Sequence, residues 1–274
     1  MSGTLYVVGT PIGNLSDFSP RAIATLEACD FIAAEDTRVT QKLLNKFTIK
    51  KSTVSYYEHN RKESGEKILG RLLGGESCAL VTDAGMPAIS DPGEDLVRLC
   101  HEAGVHVESV PGPTAFATAM AVSGLPSGRF TFEGFLSVNK PSRRAHLESV
   151  KDEERTMIFY EAPHKLAATL RDMADAFGDR EIALVKELTK LHETIERTTL
   201  FAAAEKYSEI PPKGEYVLVI AGAEKQTEVW TLERAVAFAK AENEKGKSKS
   251  EAAKLAAHRS GLKRSEIYKG LEEA

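Results

Sequence analysis

The sequence predicts an α/β fold made of two lobes and a small helical appendage. Within residues 1–124, short apolar strands alternate with helical periodicity, which indicates βαβ crossovers and a mainly parallel sheet. Within residues 125–223, strands follow one another without long helices between them, which indicates a mixed sheet with antiparallel pairs. Residues 228–274 show three helical segments and no strand, so we expect a separate helical domain there.

The individual strands are predicted from β-branched and apolar runs that end at turn residues. In the first lobe they are Leu5–Val8, Phe31–Ala34, Thr53–Tyr56, Cys78–Val81 and Val105–Val110, with a closing helix from about Pro113 to Ser123. In the second lobe they are Arg129–Glu133, Thr156–Tyr160, Glu181–Lys186, Glu193–Leu200 and Glu215–Ala221, with helices at Ser142–Val150, Pro163–Phe177 and Phe201–Tyr207. A polar linker over residues 222–227 leads to helices at Leu232–Glu244, Lys249–His258 and Lys263–Leu271.

Composition limits the classes of protein that the chain can form. Of its 274 residues, 42% are hydrophobic, which is enough for a sizeable core and excludes global disorder. No apolar run approaches the ~18–20 residues that span a bilayer, and no secretory signal is visible, so we expect a cytoplasmic protein without membrane contact. The cysteines Cys29, Cys78 and Cys100 lie far apart in apolar stretches, which predicts buried thiols rather than a metal site.

Charge is distributed unevenly along the chain. The net charge is −4, but the stretch from Lys245 to Lys269 carries eight Lys or Arg against two Glu. That stretch therefore carries +6 and the remainder −10. An acidic body with a basic appendage is typical of a protein that has an added anion-binding element, although a solvated helix surface would explain the charges equally well.

Four loops interrupt the apolar pattern at the carboxyl ends of predicted strands, where open α/β sheets bind ligands. The first, Gly9–Asn14, has glycines after a strand but lacks the G-x-G-x-x-G spacing, and Pro11 removes an amide that a phosphate would need. This loop disfavours a nicotinamide-dependent enzyme and favours a neutral or cationic ligand. In the second, Ala34–Arg38, an acidic residue could bind a ribose, but a helix cap by Asp36 with a local Arg38 pair is favoured.

The third loop, Thr82–Gly93, contains two Gly, two Pro and two Asp, which excludes a helix or a central strand. Its end, Asp91-Pro92, predicts a helix start with Asp91 as the cap and Pro92 as the first helical residue. The preceding Gly85-Met86-Pro87 is predicted to expose backbone to a ligand. The fourth loop, Val110–Ala115, opens a helix with small residues and is expected to face the third loop.

These loops together resemble the tetrapyrrole methylase superfamily, and within it the bacterial small-subunit ribosomal RNA methyltransferase I family. The matching pieces, in order along the chain, are Val8–Asn14, Ala34–Arg38, Asp83–Gly93, Pro111–Ala115, Phe159–Lys165 and Lys186–Glu193. The resemblance implies a homodimer that holds S-adenosylmethionine between its lobes. It also implies 2′-O-methylation of a cytidine in the decoding region of 16S ribosomal RNA, on the RNA or the assembled small subunit.

The resemblance also implies a set of cofactor-binding residues, drawn from three of the loops and from one strand of the second lobe. They are Thr10, Pro11, Ile12, Asp83, Ala84, Gly85, Met86, Ile89, Thr114, Ala115, and Phe159 or Tyr160. Where other members of the superfamily read Gly-Asp-Pro, this chain reads Gly85-Met86-Pro87. That departure removes an acidic group near the cofactor.

The densest polar run after a strand is Lys186–Glu193, which makes it the first candidate for catalysis. Glu187 is the candidate general base or ribose-positioning group, and Lys190 or Lys186 could stabilise a developing alkoxide. A salt-bridged surface turn is the competing interpretation. His59 and His164 are alternative bases, and no metal is expected, because methyl transfer from a sulfonium needs none.

Two basic segments are candidates for contacts with RNA phosphates. The first segment, at the start of a predicted helix, contains Lys140, Arg143 and Arg144. Two adjacent arginines at a helix N-terminus interact unfavourably with the macrodipole, so another interaction is expected to account for them. Lys249, Lys254, Arg259, Lys263 and Arg264 lie in the appendage, whose rhythm is helix–turn–helix. A dimerisation element is the alternative for the appendage, and a tetrapyrrole methylase or a non-catalytic ribosome-assembly factor is the alternative for the whole chain.

Overall fold

The computed structural model describes residues 2–224 and 230–273, and the chain forms two compact units, residues 1–223 and 224–274. The first unit contains both predicted lobes, with one five-stranded sheet in each. Residues 225–227 of the predicted linker lie outside the described part of the chain. None of the described helices is long and apolar enough to cross a membrane.

The first sheet has the strand order β3-β2-β4-β1-β5, and all of its pairings are parallel, as predicted. Its strands are β1 Thr4–Val8, β2 Phe31–Ala34, β3 Ser52–Ser55, β4 Cys78–Val81 and β5 His106–Val110. The helices that follow them are α1 Pro20–Ala28, α2 Thr37–Lys46, α3 Arg61–Leu73, α4 Gly93–Glu102 and α5 Ala115–Ser123. Alternate residues of β2 and β4 pack into two separate cores, one against α1 and α2 and the other against α3 and α4. The carboxyl ends of the strands therefore open at one edge of a sheet that is covered on both faces.

The second sheet has the order β6-β7-β10-β8-β9 and is mixed, because only β6 and β7 are parallel. Its strands are β6 Phe130–Phe135, β7 Thr156–Glu161, β8 Glu181–Lys186, β9 Thr194–Thr199 and β10 Tyr216–Ile220. Helices α6 Lys140–Ser149, α7 Pro163–Phe177 and α8 Leu200–Glu209 cover one face. The other face packs on α5, through Ala119 and Met120 against Ile158, Val185 and Val217. Helix α5 thus joins the two lobes into one body.

The second unit is a three-helix structure of α9 Leu232–Glu244, α10 Lys249–Ser260 and α11 Arg264–Glu273. Its small core consists mainly of alanines, with Ile267 and Leu271 from the last helix. A capping box between Ser248 and Glu251 starts α10, and Gly261 ends it in the left-handed region. Lys245 and Lys247 both pair with Glu242, and hydrogen bonds from these lysines hold the pKa of Glu242 at about 2. Lys245 and Lys247, two basic residues of the charged stretch, therefore stabilise the turn between α9 and α10.

Two predicted helix starts can be checked against the hydrogen bonds. Asp36 caps α2, accepting from the amide of Arg38 at 2.8 Å and pairing with its guanidinium, as predicted. The prediction for α4 is one residue early: the helix begins at Gly93, and Pro92 is its cap. The Asp91 carboxylate instead accepts from the amides of Ala88 and Gly93, at 2.9 and 2.8 Å. These two hydrogen bonds connect the third loop to the start of the helix. All three cysteines are buried, as predicted.

The adjacent arginines of α6 are explained by a carboxylate on the neighbouring helix. Asp172 of α7 lies 2.6 Å from Arg143 Nη2 and 3.5 Å from Arg144 Nε. The side chains of Asp172 and Arg143 are 7% and 12% exposed, and Arg143 also donates to the carbonyl of Ser137. Attraction to Asp172 outweighs the unfavourable macrodipole, so Arg143 is used within the protein and is poorly placed to reach RNA.

We expect Asp172→Asn to lower the free energy of unfolding by about 3 kcal/mol, because it leaves the Arg143 guanidinium buried without a charged partner. Denaturant unfolding followed by circular dichroism measures this value. Asp175→Asn, an exposed change on the same helix, serves as the control and should stay within about 0.5 kcal/mol of the wild type. Equal effects from the two variants would show that the ion pair does not stabilise the α6–α7 packing.

Candidate functional site

The first and third loops are joined by a short backbone bridge at the carboxyl edge of the parallel sheet. The amide of Thr10 donates to the Gly85 carbonyl at 2.9 Å, and the amide of Gly85 donates to the Thr10 carbonyl at 3.2 Å. The Thr10 hydroxyl also donates to the carbonyl of Thr82, at 3.1 Å. Gly85 has φ +93°, which only glycine adopts without strain. The bridge holds both loops in fixed positions after β1 and β4.

The first and fourth loops meet at two glycines whose backbones touch. A Cβ placed on Gly112 would lie 2.8 Å from Gly9 Cα, and one on Gly9 would lie 2.6 Å from Gly112 Cα. Because the obstructing atoms are backbone, neither position can carry a side chain without moving a strand end. The sulfur of Met86 also packs against Gly9. Three of the four predicted loops are therefore packed directly together.

A cavity of about 320 Å³, called the first cavity, lies where these loops meet the second sheet. The first lobe contributes Ile12, Ala84 and Ala115 to its wall. The second lobe contributes Phe135, Tyr160, Glu161, Ala162, Pro163, Val185, Leu188, Glu215, Tyr216 and Val217. Among the described residues of the wall, the carboxylates Glu161 and Glu215 are present, whereas Lys and Arg are absent. The Glu161 carboxylate accepts from the Ala162 amide and the Thr169 hydroxyl, and Glu215 pairs with Lys190. A mainly apolar wall, with no free cation among its described residues, suits a flat organic ligand.

Tyr160 is the best-fixed polar group of this wall. Its hydroxyl accepts a hydrogen bond from the amide of Phe116, in the first turn of α5, at 3.0 Å. The rings of Phe132 and Phe135 lie 4.9 and 5.3 Å from its ring. Burial raises the pKa of Tyr160, so the phenol stays protonated at neutral pH. The ring is therefore a rigid, neutral part of the wall and not a proton acceptor.

A network of charged groups lies at the rim of the first cavity. The Lys190 ammonium bridges two carboxylates, 3.0 Å from Glu187 Oε1 and 2.7 Å from Glu215 Oε2. Glu187 Oε1 also accepts from the amide of Glu215 at 2.9 Å. This backbone hydrogen bond and the bond from Lys190 lower the pKa of Glu187. Burial disfavours charge on Lys190, but its bonds to Glu215 and Glu187 outweigh that effect and raise the pKa of Lys190.

The backbone around this network is strained. Glu187 and Thr189 have φ of +51° and +65°, in the left-handed region that non-glycine residues rarely adopt. Gly214 permits this conformation, since a Cβ there would lie 2.6 Å from Glu187 Cγ. Gly13 of the first loop leaves room for Lys190 in the same way, because its Cβ would lie 2.6 Å from Lys190 Cγ. The stem of Lys190 thus lies against the first loop, and strain is stored where the two lobes meet.

A second cavity, of about 360 Å³, lies beside the first loop and α2. Its wall consists of Thr10, Pro11, Gly13, Leu15, Val39, Thr40, Lys42, Leu43, Lys46, Thr82 and Asp83. The Asp83 carboxylate accepts from the amide of Asp36 at 3.1 Å, and the Thr82 hydroxyl donates to Glu35 at 2.6 Å. Burial, and next the charge of Glu35, raise the pKa of Asp83. This wall contains two cationic side chains, so its charge differs from that of the first cavity.

The predicted cofactor residues divide between the two cavities. Ile12, Ala84, Ala115 and Tyr160 line the first cavity, whereas Thr10, Pro11 and Asp83 line the second. Gly85 and Met86 hold the loops together, Thr114 is the cap residue of α5, and Ile89 is partly exposed on the third loop. Phe159 is fully buried in the core on the opposite face of the second sheet, so Tyr160 is the member of that pair in the wall.

The predicted catalytic and RNA-binding residues lie in several places. Glu187 and Lys190 are at the rim of the first cavity, but His59 follows the edge strand β3, is exposed and lines neither cavity. His164 is exposed in the first turn of α7. Lys140 is exposed and has no ion-pair partner within the described part of the chain. No group of three metal-ligating side chains occurs among residues 2–224 and 230–273.

In the second unit, three of the predicted RNA-binding residues have partners within the unit. Arg259 lies over the rings of Trp230 and Phe238, at 5.6 and 5.1 Å. Arg264 donates to the Ser250 hydroxyl at 2.6 Å, and Lys263 lies 3.9 Å from Glu266. Lys249 and Lys254 are exposed, and neither has an ion-pair partner among the described residues. These two lysines are the ones best placed to contact a polyanion.

Several residues of the first cavity were not predicted from the sequence, and Phe135 is the most informative. The predicted strand Arg129–Glu133 ends before Gly134. The register of β6 against β7 instead shifts between Phe132 and Gly134, and Gly134 has φ +65°. The strand continues through this bulge, which places Phe135 in the wall. A glycine within an apolar strand pattern was the available signal.

Comparison with known proteins identifies the class to which this fold and site belong. A model of the family described as Tetrapyrrole (Corrin/Porphyrin) Methylases matches residues 4–204. A structure of uroporphyrin-III C-methyltransferase from Thermus thermophilus, complexed with S-adenyl homocysteine, superposes with a TM-score of 0.56 and covers 80% of this chain and 97% of that one. At 18% identity this likeness shows the fold alone. The chain has the fold and the loops of a tetrapyrrole methylase.

More similar relatives define the family within that class. The ribosomal RNA small subunit methyltransferase I of Synechocystis sp. is 51% identical over 222 residues, 81% of this chain and 80% of the relative. The enzyme of the same name from Xylella fastidiosa is 46% identical over 271 residues, 98% of each chain. The one from Thermotoga maritima is 47% identical over 222 residues, which are 81% of this chain and all of the relative. The chain belongs to the ribosomal RNA small subunit methyltransferase I family.

The raised pKa of Asp83 predicts a pH-dependent effect of Asp83→Asn on stability. The folded state holds the proton more tightly than the unfolded state, so the ionised carboxylate destabilises the fold at neutral pH. We expect the variant to have a higher Tm than the wild type at pH 7. The difference should shrink as the pH falls through the raised pKa of Asp83 and vanish below its ordinary value of 3.8.

Differential scanning fluorimetry across this pH range measures the effect. The control is Asp17→Asn, which removes an exposed carboxylate of the same type and should leave Tm unchanged. A Tm at pH 7 that falls on Asp83→Asn would mean that the hydrogen bond from the Asp36 amide outweighs the partial desolvation of Asp83 and its repulsion from Glu35.

Proposed function

We propose that the chain transfers a methyl group from S-adenosylmethionine to the 2′-hydroxyl of a cytidine in the decoding region of 16S ribosomal RNA. The observation that supports the cofactor best is the mainly apolar wall of the first cavity, which has aromatic rings on one side and glycine loops on the other. Membership of the ribosomal RNA small subunit methyltransferase I family supports the acceptor. We place the reaction in the cytoplasm, where the small subunit is available.

The residues of the first cavity fit this cofactor. When bound, S-adenosylmethionine supplies a methyl group on a positively charged sulfonium. The aliphatic side chains Ile12, Val185 and Leu188 suit the flat adenine, and the rings of Phe135 and Tyr160 attract a cation. Gly85 and Gly112 bring the loop backbone close without side chains in the way. Pro11 and the absence of basic groups from the described wall disfavour a pyrophosphate instead.

The chain's own groups then have to position the ribose and allow the 2′-hydroxyl to lose its proton. The 2′-oxygen forms a bond to the methyl carbon as the carbon–sulfur bond breaks, and its proton leaves to water. Holding the reactants in line contributes about 7–11 kcal/mol, whereas a general base typically contributes a factor of about 10²–10⁴. Lys190 stays protonated at the rim, so it stabilises negative charge that develops on the oxygen.

Glu187 is, on this proposal, a positioning residue that holds Lys190. Its lowered pKa makes it a weak base, and one of its oxygens already accepts two hydrogen bonds. We expect Glu187→Gln, which keeps both acceptor contacts, to lower single-turnover methylation by roughly tenfold and to leave the shape of the pH–rate profile unchanged.

Methyl transfer from labelled cofactor to a 16S fragment measures this rate. Glu209→Gln, at an exposed position of α8, is the matched control. If Glu187 were the base, the rate would fall by about 10²–10⁴ and the rise with pH would be lost. If Glu187→Gln and Glu209→Gln gave the same rate, residues 187–193 would be a surface turn without a role in the reaction.

The second unit is proposed to add affinity for RNA. The Thermotoga maritima relative, whose whole length aligns with 222 residues, is as long as the first unit alone and carries the same family name. The length of this relative supports a role for the second unit other than catalysis. The unpaired Lys249 and Lys254 and the stacked Arg259 suit phosphate and base contacts.

We expect truncation after Ala223 to leave cofactor affinity unchanged and to weaken RNA binding. Each lost phosphate contact makes the slope of log affinity against log salt shallower by about 0.9. Loss of Lys249 and Lys254 should thus change the slope by about 2, as measured by fluorescence anisotropy at several salt concentrations. An unaltered slope would show that the appendage does not contact the RNA phosphates and would favour its alternative role in dimerisation.

We further propose that the active form is a homodimer, as the family resemblance implies. Support comes from large apolar side chains exposed on the second lobe, among them Phe201 of α8, Ile210 directly after α8 and Ile195 of β9. Light scattering tests the oligomeric state, and the truncated chain tests whether the first unit is sufficient for it.

A further inference from the structure

We infer that the second cavity binds a nucleotide of the RNA strand, next to the nucleotide whose ribose is methylated. This inference rests on the proposed function and adds a second ligand site to it. It starts from a cavity of about 360 Å³ whose wall combines three kinds of surface. The cationic surface suits the phosphate of a nucleotide, the apolar surface suits the face of its base, and the polar surface suits its hydrogen-bonding groups.

The cationic part of the wall comes from one face of α2. Lys42 and Lys46 are four residues apart, so their side chains lie one above the other on the helix. Both are exposed, and neither forms an ion pair with any residue in the described part of the chain. Lys190, at the rim of the first cavity, is instead paired with two carboxylates. Two free ammonium groups at the mouth of a cavity suit the phosphates of a nucleic acid backbone.

The apolar part of the wall is formed by Pro11 and Leu15 on one side and by Val39 and Leu43 of α2 on the other. Leu15 and Val39 are among the large apolar side chains that remain exposed to solvent. Every base has an apolar face that such a surface would cover. A site built for a bare phosphate would not need this surface, so the wall favours a nucleotide.

The polar part includes a hydroxyl without a partner. Thr40 is 3% exposed and lines the cavity, and its Oγ1 has no hydrogen-bond partner among residues 2–224 and 230–273. A buried polar atom that is left unsatisfied destabilises the fold, and such atoms are rare in native proteins. A ligand group that bonds to this oxygen would remove that cost. Asp83, on the same wall, offers an acceptor for an amino or hydroxyl group.

The two cavities are adjacent because consecutive residues of the same loops face them. In the first loop, Pro11 lines the second cavity and Ile12 the first. In the third loop, Asp83 lines the second cavity and Ala84 the first. A strand of RNA that places a ribose at the rim of the first cavity would therefore bring a neighbouring nucleotide to the second. The apolar wall receives the cofactor, and the basic mouth receives the anionic strand.

Titration of the full-length protein with cytidine 5′-monophosphate, followed by amide NMR, tests the site directly. We expect shifts at Thr40, Lys42 and Lys46, and we expect inorganic phosphate at the same concentration to produce only a small part of them. Shifts confined to the first cavity, or equal shifts with phosphate alone, would overturn the inference.

The lysines are tested with the double variant Lys42→Ala/Lys46→Ala against Lys50→Ala/Lys62→Ala, which removes the same charge from exposed positions outside the cavity. We expect the first variant to bind a decoding-region RNA roughly tenfold more weakly, with a salt slope shallower by about 2 and unchanged cofactor affinity. Equal losses from the two double variants would mean that only general electrostatics is involved.

Thr40→Val separates a ligand role from a structural role of the hydroxyl. We expect this variant to raise Tm by about 2–4 °C, because it removes an unsatisfied buried oxygen, and to bind cytidine 5′-monophosphate roughly fivefold more weakly. A lower Tm with unchanged nucleotide affinity would overturn the role of Thr40. Methylation of 16S RNA by the wild type without nucleotide shifts in the second cavity would overturn this inference and leave the proposed function intact.

Discussion

The close packing of three loops at the carboxyl edge of the parallel sheet is the constraint on which the site depends. Gly9 and Gly112 bring the ends of β1 and β5 into backbone contact, and the Thr10–Gly85 bridge adds the end of β4. Side chains at either contacting glycine would push strand ends apart. Because these loops are fixed, the side chains of the first loop face opposite directions, and two cavities form instead of one open trough.

The two cavities differ in charge in a way that matches the two substrates. The first has a mainly apolar, aromatic wall without Lys or Arg among its described residues and suits a sulfonium, whereas the second has Lys42 and Lys46 at its mouth and suits a phosphodiester. A net charge of −4 is therefore compatible with the proposed RNA binding, since what matters is where the positive charge lies. The strained backbone at Glu187 and Thr189 lies at the rim between the lobes, where strain often accompanies function.

The regular elements could be predicted because local signals agree with their burial. Strands Phe31–Ala34 and Cys78–Val81 and helices Pro163–Phe177 and Leu232–Glu244 have the predicted bounds, since turn and cap residues flank apolar runs. Side-chain directions in irregular loops could not be predicted in the same way, because no periodicity applies there. The sequence therefore does not show that Thr10 and Asp83 line a different cavity from Ile12. The Arg143–Asp172 pair and the packing of α5 on the second sheet depend on contacts between distant residues, which a single sequence does not show.

The affinity of S-adenosylmethionine for Gly112→Ala, measured by calorimetry on the full-length protein, tests the central claim most directly. The added methyl group would lie 2.8 Å from backbone atoms of Gly9, so the first and fourth loops must separate. The account predicts that affinity falls by at least roughly tenfold while the far-ultraviolet circular dichroism of the sheets persists. Gly128→Ala, where a Cβ meets nothing within 4 Å, is the control and should bind as the wild type does. Unchanged affinity in Gly112→Ala would contradict the claim that close loop packing shapes the cofactor site.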